Sequence, residues 1–169
     1  IDYFADNQEI VVDCLLSNTA AAYALVRAGN SGIDTLVFSR EEFYNTEKIL
    51  NFLTLRKINL VVLAGFLWLV PENILEKFMV INIHPALLPA YGGKNMYGHH
   101  VHRAVIANRE PFSGITIHYV NERYDEGAII FQARCPVFAD DTPETLADRI
   151  HHLEYNHYPS VIEEVIHKL

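Results

Sequence analysis

The sequence predicts an α/β protein built on an open, mostly parallel, twisted sheet with helices on both faces. Short β-branched runs alternate with stretches of helical periodicity through the first half of the chain. One of these runs, residues 59–64, is almost wholly apolar, as expected of a strand that is covered on both faces. In the second half, two strand-like runs follow each other across a turn, which predicts some antiparallel pairing in the C-terminal half.

Four short runs rich in β-branched and other apolar residues are the predicted strands of the first half: residues 10–16, 35–38, 59–64 and 79–83. After the first of them, residues 17–19 supply capping side chains for a helix over residues 20–28. Ser39 caps a second helix, predicted over residues 41–56. Strands and helices therefore alternate, which implies a parallel sheet wrapped by helices.

The second half begins with a loop rich in Pro and Gly over residues 85–98, followed by a predicted helix over residues 99–108. Strands are predicted over residues 114–120 and 128–137. Thr142 then caps a last helix, whose apolar side chains recur at helical spacing. This order of elements is typical of a Rossmann-like fold.

The composition indicates one globular domain over residues 1–169 and narrows the classes of partner. Half of the residues are apolar, and the formal net charge is -8 with neutral histidines. An acidic chain without a run of Lys and Arg is a poor candidate for binding nucleic acid. No apolar run approaches the length of a membrane span. We therefore expect small-molecule substrates, no nucleic acid, no membrane, and a monomer or a homodimer.

The cysteines and histidines give no sign of a metal site. Cys14 and Cys135 lie in strand-like apolar runs without a disulfide or zinc motif, so we expect buried thiols in a reducing cytoplasm. His99, His100 and His102 lie close together in the chain. A zinc site on that helix would need a further ligand and supporting hydrogen bonds that the sequence does not supply. We expect no metal.

Asn82 and His84 carry the strongest chemical signal. They are two residues apart on a predicted strand, so both side chains point to the same face. Pro85 ends the strand and keeps His84 extended. Ligands of open α/β sheets bind beyond the C-terminal ends of the strands, where this amide and imidazole lie. Position alone leaves open whether the two side chains only satisfy backbone groups of a loop.

Two further residues have two possible roles each. Asp125 lies in a turn, two residues before Gly127, and an Asp in that position is usually a turn former unless another segment needs its carboxylate. Trp68 can be an aromatic binding platform or an aromatic residue at the edge of the core.

Several motifs together resemble the folate-dependent formyltransferase family. They extend over nearly the whole chain, and the block around His84 is highly specific: Leu63-Ala64-Gly65-Phe66, Asn82-x-His84-Pro85-x-Leu87-Leu88-Pro89, His102-Arg103, Gly114-x-Thr116-x-His118, Asp125-x-Gly127, Leu153-Glu154 and Tyr158-Pro159. The resemblance implies formyl transfer from 10-formyltetrahydrofolate to the amine of glycinamide ribonucleotide, a step of de novo purine biosynthesis.

The resemblance also implies roles for particular residues. Asn82, His84 and Asp125 match the family's catalytic residues. The folate is expected to bind two segments, represented by Trp68, Leu69, Val70, Asn121, Tyr124 and Asp125. Glycinamide ribonucleotide is expected beside three residues: Glu154, Pro85 and Leu67.

The residue types suit direct attack of an amine on a formyl carbon. The tetrahedral intermediate carries an oxyanion, to which the Asn82 amide and a protonated His84 can donate. A carboxylate near His84 is expected to raise the pKa of the imidazole and favour the imidazolium. Asp125 can play this part and can help to move the amine proton to the leaving nitrogen, directly or through water. No covalent intermediate or metal is needed.

The chain departs from the family pattern at its start. The family opens with a strand and a short Gly/Ser/Asn loop that binds the ribonucleotide phosphate, and we expect both to be missing from residues 1–169. The loop over residues 91–98 is longer than the commonest family form, so no contacts are carried over to it. Two alternatives stay open: a formyltetrahydrofolate hydrolase, which uses water as acceptor, and a non-catalytic folate-binding paralogue.

Overall fold

The computed structural model describes residues 1–169. The strands are β1 (Cys14–Ser17), β2 (Asp34–Val37), β3 (Leu60–Leu63), β4 (Met79–His84), β5 (Phe112–Tyr119) and β6 (Ile129–Pro136). The helices are α1 (Tyr23–Asn30), α2 (Arg40–Tyr44), α3 (Lys48–Leu55), α4 (Glu72–Leu75), α5 (His99–Ala107) and α6 (Pro143–Ile166). None of the helices is long and apolar enough to cross a membrane.

The residues cluster into two compact units, Ile1–Asn59 and Leu60–Leu169. In the first unit, β1 and β2 form a parallel two-stranded sheet in which Cys14 pairs with Asp34. The helices α1, α2 and α3 belong to this unit. The single domain expected over residues 1–169 stays a prediction.

Four strands form the sheet of the second unit, in the order β3-β4-β5-β6. β3 and β4 are parallel, whereas β5 is antiparallel to both of its neighbours. Parallel pairing early in the chain and antiparallel pairing late in the chain confirm the predicted fold class. The register of β4 against β5 places Asn82 opposite His118 and His84 opposite Thr116.

The core of the second unit forms where α5 and α6 pack on the sheet. One buried cluster joins α5, β5 and the first half of α6: Ala86, Val101, Val105, Ile115, Cys135, Leu146 and Ile150. A second joins β4, β5 and the second half of α6: Ile81, Ile117, Tyr158, Val161 and Val165. The Tyr158 hydroxyl donates to the carbonyl of Leu63 at 2.8 Å, so α6 is also fixed to β3. The apolar face predicted for the last helix is the face that it buries.

The predicted cap of the first helix is wrong. The Ser17 hydroxyl accepts from the amide of Thr19 and donates to its carbonyl, which closes a local turn instead of capping a helix. The helix begins later than expected, at Tyr23, with Ala22 as its N-cap and no capping side chain. The sequence pattern over residues 20–28 thus predicted that a helix forms here, but not the residue at which it begins.

The helix predicted over residues 41–56 is divided into α2 and α3. Ser39 caps α2 as expected and forms a capping box with Glu42. The side chains of Asn45 and Thr46 then bond back to α2, to a glutamate side chain and to the Glu42 carbonyl. Such local bonds compete with continuation of a helix, and the chain turns before α3.

Asp141 ties the segment before α6 to the helix itself. Arg149 donates two hydrogen bonds to its carboxylate, at 2.8 and 3.0 Å, and the Phe138 amide donates a third at 2.7 Å. The Asp141 side chain is only 4% exposed. The hydrogen bonds from Arg149 are the main reason why the pKa of Asp141 lies well below its usual range. The carboxylate therefore contributes to stability in its charged form.

Asp141→Asn should lower the free energy of unfolding by about 2 kcal/mol at pH 7, because a buried charged acceptor is lost. A depressed carboxyl pKa stabilises the fold above the unfolded pKa of about 4 and loses that contribution as the pH falls. The difference from wild type should therefore shrink below pH 4. Urea denaturation at pH 7 and pH 3 measures it, with the exposed neighbour Asp140→Asn as control. A difference that does not change with pH would contradict this account.

Candidate active site

Asn82 and His84 lie at the C-terminal end of β4. His84 is the last residue of the strand and is 4% exposed, whereas Asn82 is half-buried. Their side chains point to one face because strand side chains alternate. Pro85 follows directly and cannot donate to a neighbouring strand, which ends the pairing at this point.

His118 on β5 contacts the Asn82 side chain across the sheet. The Asn82 Nδ2 lies 3.2 Å from His118 Nε2, and His118 Nδ1 lies 2.8 Å from the carbonyl oxygen of Tyr119. A carbonyl only accepts, so Nδ1 carries a proton, and in the singly protonated ring Nε2 then accepts from the amide. One N–H of Asn82 is thereby held, and the amide carries a second N–H that can bind a ligand.

Asp125 reaches these residues from the turn between β5 and β6. Its φ of +58° is in the left-handed region, which Asp adopts more readily than most residues. Its Oδ2 lies 3.6 Å from His84 Nδ1, and its Oδ1 lies 3.6 Å from His118 Nε2. These distances are slightly too long for direct hydrogen bonds and leave the carboxylate in close electrostatic contact with both rings. The structure thus brings Asn82, His84 and Asp125 together, with His118 among them.

The loop after β4 holds both members of the His84–Asp125 pair. The carbonyl of Tyr91 accepts from His84 Nε2 at 2.8 Å, and the amide of Gly93 donates to Asp125 Oδ2 at 2.9 Å. His84 therefore carries a proton on Nε2 and turns Nδ1 towards the carboxylate.

Burial and hydrogen bonding leave the pKa values of both groups lowered, whereas an ion pair would raise that of the histidine. Burial acts to raise the pKa of Asp125, but His118, His84 and the Gly93 amide together lower it, so Asp125 is a carboxylate at neutral pH. Burial lowers the pKa of His84 by more than Asp125 and the Tyr91 carbonyl raise it. The expectation of a raised His84 pKa is therefore wrong, because desolvation of the ring outweighs its charged neighbour.

A polar network around the buried Thr116 fixes the chain just after His84. The Thr116 hydroxyl donates to the carbonyl of Ala86 at 2.7 Å and accepts from the amide of Leu88 at 3.0 Å. Gln132 donates to the Leu88 carbonyl at 3.0 Å and to the Thr116 hydroxyl at 2.8 Å. β5 and β6 thus set the course of the loop that carries Tyr91 and Gly93.

Gly127 allows the turn that carries Asp125 to lie against the end of β5. A Cβ at this position would overlap the carbonyl oxygen of Tyr119 and would lie 3.5 Å from His118 Nδ1. A backbone atom cannot move aside as a flexible side chain can, so a side chain here would displace the turn.

Trp68, Leu69 and Val70 follow β3, at the C-terminal end of the strand next to β4. Val70 is buried, and Trp68 and Leu69 are half-buried. The Trp68 ring makes an edge contact with Phe66, with centroids 6.0 Å apart. Their expected role in folate binding stays a prediction.

Asn121 and Tyr124 lie in the same turn as Asp125, and both are half-buried. The Asn121 side chain accepts from the amide of Arg123 at 3.0 Å, which shapes the turn. These two of the residues expected to bind the folate therefore share a turn with the carboxylate of the site.

The three residues expected at the acceptor are spread over the second unit. Glu154 is half-buried on α6, and burial raises its pKa above the usual value. Pro85 adjoins His84 and is half-buried, whereas Leu67, after β3, is 48% exposed. Their roles stay predictions.

The histidines of α5 are not arranged as a metal site, and no group of three or more His, Cys, Asp and Glu side chains is placed to hold a metal ion. His99 and His100 are exposed, whereas His102 is buried. His102 Nδ1 has no hydrogen-bond partner, and burial lowers the pKa of this ring to about 4. His102 is therefore a neutral core residue.

Sequence reasoning gave no role to His118, although it forms part of a motif. A signal was present: Thr116 and His118 are two residues apart on one strand, as Asn82 and His84 are on another. If the two strands pair antiparallel in register, the two polar pairs lie face to face.

The formyl transferase family matches residues 3–162 of the chain. The phosphoribosylglycinamide formyltransferase of Haemophilus influenzae is 39% identical and covers 90% of this chain and 72% of its own length. Two chloroplastic phosphoribosylglycinamide formyltransferases, from Arabidopsis thaliana and Vigna unguiculata, are 39% and 42% identical over 92% and 90% of this chain. The chain spans about half the length of these two plant relatives, 55% and 51%.

The fold is also that of solved structures. The crystal structure of phosphoribosylglycinamide formyltransferase from Anaplasma phagocytophilum aligns with a TM-score of 0.84 at 35% identity, covering 95% of this chain and 76% of the other. The Streptococcus pneumoniae structure of the same name aligns with a TM-score of 0.81 at 32% identity, covering 97% and 91%.

Proposed function

This chain belongs to the formyl transferase family, and we propose that it transfers the formyl group of 10-formyltetrahydrofolate to the amine of glycinamide ribonucleotide. The names of its relatives support this choice of acceptor. The observation that carries the proposal is the cluster formed by Asn82, His84, His118 and Asp125 at the end of β4. It supplies an amide donor, a neutral imidazole and a carboxylate in one place.

Asn82 stabilises the oxyanion in this mechanism. Attack of the amine on the planar formyl carbon forms a tetrahedral carbon whose oxygen becomes negative. The second N–H of Asn82 donates to that oxygen, and the bond of the first N–H to His118 keeps the amide from turning. A donor fixed in advance is effective because it needs no reorganisation during the reaction.

Asp125 and His84 move the proton. The attacking amine loses a proton and the leaving nitrogen of the folate gains one, so the transfer is balanced within the site. The carboxylate of Asp125, 3.6 Å from His84 Nδ1, accepts the proton directly or through a water beside the pair. His84 is protonated on Nε2, so Nδ1 is the nitrogen that can exchange a proton with this water.

The folate binds between two chain segments in this proposal. Trp68, Leu69 and Val70 supply apolar side chains and backbone groups after β3, and Asn121 and Tyr124 supply the turn that also holds Asp125. A ligand against this turn has its reactive end beside the carboxylate. Such positioning lowers the entropic barrier to reaction.

Glu154→Gln should raise the KM for glycinamide ribonucleotide and leave the KM for 10-formyltetrahydrofolate nearly unchanged. A half-buried carboxylate with a raised pKa can accept hydrogen bonds from the amine or the ribose hydroxyls of the acceptor. Steady-state kinetics with each substrate varied in turn measures the effect. Glu164→Gln, an exposed change on the same helix, is the matched control. Equal effects on both KM values would place the acceptor elsewhere.

Formyl-transfer assays with rival acceptors test the proposal as a whole. The purified protein should formylate glycinamide ribonucleotide and should leave methionyl-tRNA and water as minor acceptors. Release of formate at the same rate without glycinamide ribonucleotide would indicate a formyltetrahydrofolate hydrolase. Binding of the folate without turnover of any acceptor would indicate a non-catalytic paralogue.

The cytoplasmic location and the monomeric or homodimeric state stay predictions. Two relatives are named as chloroplastic and another is from a bacterium, so relatives occupy more than one compartment. Small-molecule substrates, with no nucleic acid and no membrane as partner, are what the acidic chain favours.

A further inference from the structure

Tyr91 adopts a backbone conformation that its own side chain disfavours. Its φ is +58°, in the left-handed region, where a bulky residue other than glycine is uncommon and strained. Such a conformation persists only when other contacts hold it. The contacts of Tyr91 therefore indicate what the loop after β4 is built to do.

The Tyr91 hydroxyl ties this loop to the end of α5. It donates to Glu110 Oε1 at 2.8 Å and accepts from Asn108 Nδ2 at 2.9 Å. Asn108 is the C-cap of α5, and the amide of Glu110 donates to the carbonyl of Val105 in the helix. The Tyr91 ring packs against the buried cluster that joins α5, β5 and α6. One side chain thus fixes the loop to a rigid element.

The backbone of the same loop contacts the reacting groups. The Tyr91 carbonyl accepts from His84 Nε2 at 2.8 Å, and two residues later the Gly93 amide donates to Asp125 Oδ2 at 2.9 Å. Gly92 lies between them, and a Cβ there would lie 3.2 Å from the Asp125 Cβ. The loop therefore determines which nitrogen of His84 faces the carboxylate.

We propose that Tyr91, held by Glu110 and Asn108, is a positioning residue that fixes the tautomer of His84 for formyl transfer. Its carbonyl keeps the proton on Nε2, so the unprotonated Nδ1 faces Asp125, as proton movement in the site requires. The kinetic part of this inference rests on the proposed function, whereas the tautomer of His84 is a property of the protein alone. Without the hydroxyl, the loop can leave the left-handed conformation, and Nε2 then loses its acceptor.

Tyr91→Phe tests the inference, because it removes the hydroxyl and keeps the ring in the core. Nitrogen-15 NMR of the histidine rings reports the tautomer, and the signals of His84 are those absent from a His84→Gln variant. The wild type should show His84 protonated on Nε2 alone, and Tyr91→Phe should show a mixture of tautomers. We expect kcat to fall about tenfold, as for other residues that orient a functional histidine. KM for both substrates should change little, since the hydroxyl bonds to Glu110 and Asn108.

Changes at Glu110 distinguish positioning of His84 from a general loss of stability. Glu110→Gln keeps an oxygen that can accept from Tyr91 and should keep near wild-type kcat, whereas Glu110→Ala leaves the hydroxyl with Asn108 alone and should lower kcat by up to as much as Tyr91→Phe does. The double variant Tyr91→Phe/Glu110→Ala should be no slower than Tyr91→Phe alone, because Tyr91→Phe already removes the hydrogen bond to Glu110. Tyr23→Phe, a change at an exposed tyrosine, is the matched control and should leave kcat and the tautomer unchanged.

An unchanged His84 tautomer in Tyr91→Phe overturns the inference, whatever happens to kcat. So does a mixture of tautomers with a wild-type kcat, since the tautomer would then not matter for the reaction. If the wild type formylates no glycinamide ribonucleotide, the proposed function fails. The NMR comparison still decides in that case whether Tyr91 fixes the tautomer of His84.

Discussion

Asp125→Asn should fold normally and lose a hundredfold or more in kcat, the range typical of a lost general acid or base. Asn tolerates the left-handed φ of +58° at this position, and its side-chain oxygen can still accept from the Gly93 amide. The change therefore keeps the turn and removes the charge and the proton acceptor. Steady-state measurement of kcat with glycinamide ribonucleotide as acceptor shows the effect.

Glu126→Gln is the matched control for this substitution. It neutralises the adjacent carboxylate, which is exposed and pairs with Arg123, and should leave kcat unchanged. Near wild-type turnover in Asp125→Asn, in protein with a wild-type unfolding midpoint, would show that Asp125 is only a turn residue. Equal losses in both variants would point to the general charge of the turn.

Gly127→Ala should destabilise the protein by about 3 kcal/mol and reduce activity as well. The added Cβ would overlap the Tyr119 carbonyl oxygen, so the backbone must shift, and overpacking of this kind is costly. The shift would also move Asp125, two residues earlier, away from His84 and His118. Guanidinium denaturation gives the change in free energy of unfolding, and kcat of the folded fraction gives the change in activity.

Gly29→Ala is a control that is expected to raise the free energy of unfolding instead of lowering it. Gly29 lies inside α1, and a Cβ there would meet no atom within 4 Å. Alanine is favoured over glycine within a helix, so this variant should gain about 0.5 kcal/mol. A Gly127→Ala variant as stable as Gly29→Ala would mean that the backbone of the turn can shift without a loss of stability.

The order of elements could be predicted because apolar periodicity and capping residues act locally. Ser39 and Thr142 cap helices as expected, since each finds the residue three positions later to complete a capping box. Ser17 looks the same in sequence, yet its hydroxyl closes a turn with Thr19. Which of these alternatives wins depends on how the strand leaves the sheet, which composition does not encode.

The candidate site could be predicted in part for a similar reason. Asn82 and His84 are neighbours on one strand, so alternation alone places them on one face. The position of Asp125 required the resemblance, because a turn residue far along the chain gives no local signal. His118 required the register between β4 and β5, which is set by long-range pairing.

The charge state of His84 could not be predicted from its neighbours. Recognising Asp125 as a partner predicts a raised pKa, and that contribution is present. Burial of the ring is the larger effect, and it depends on packing around the end of β4 that only the structure shows. A sequence can identify the charged neighbours of a group, but it does not show how far the group is removed from water.

The pairing of Asn82 with His118 has a consequence for changes in chain length. Side chains alternate along β5, so deleting one residue between the start of β5 and Thr116 would turn Thr116 and His118 to the opposite side of the sheet. Residues added between β4 and β5 after Gly93, over 94–98 for example, leave the odd-even order of both strands intact and do not interrupt the segment that carries Tyr91 and Gly93. Length variation is therefore compatible with the site in that part of the loop, whereas inside β5 only even-numbered changes would keep these two side chains facing β4.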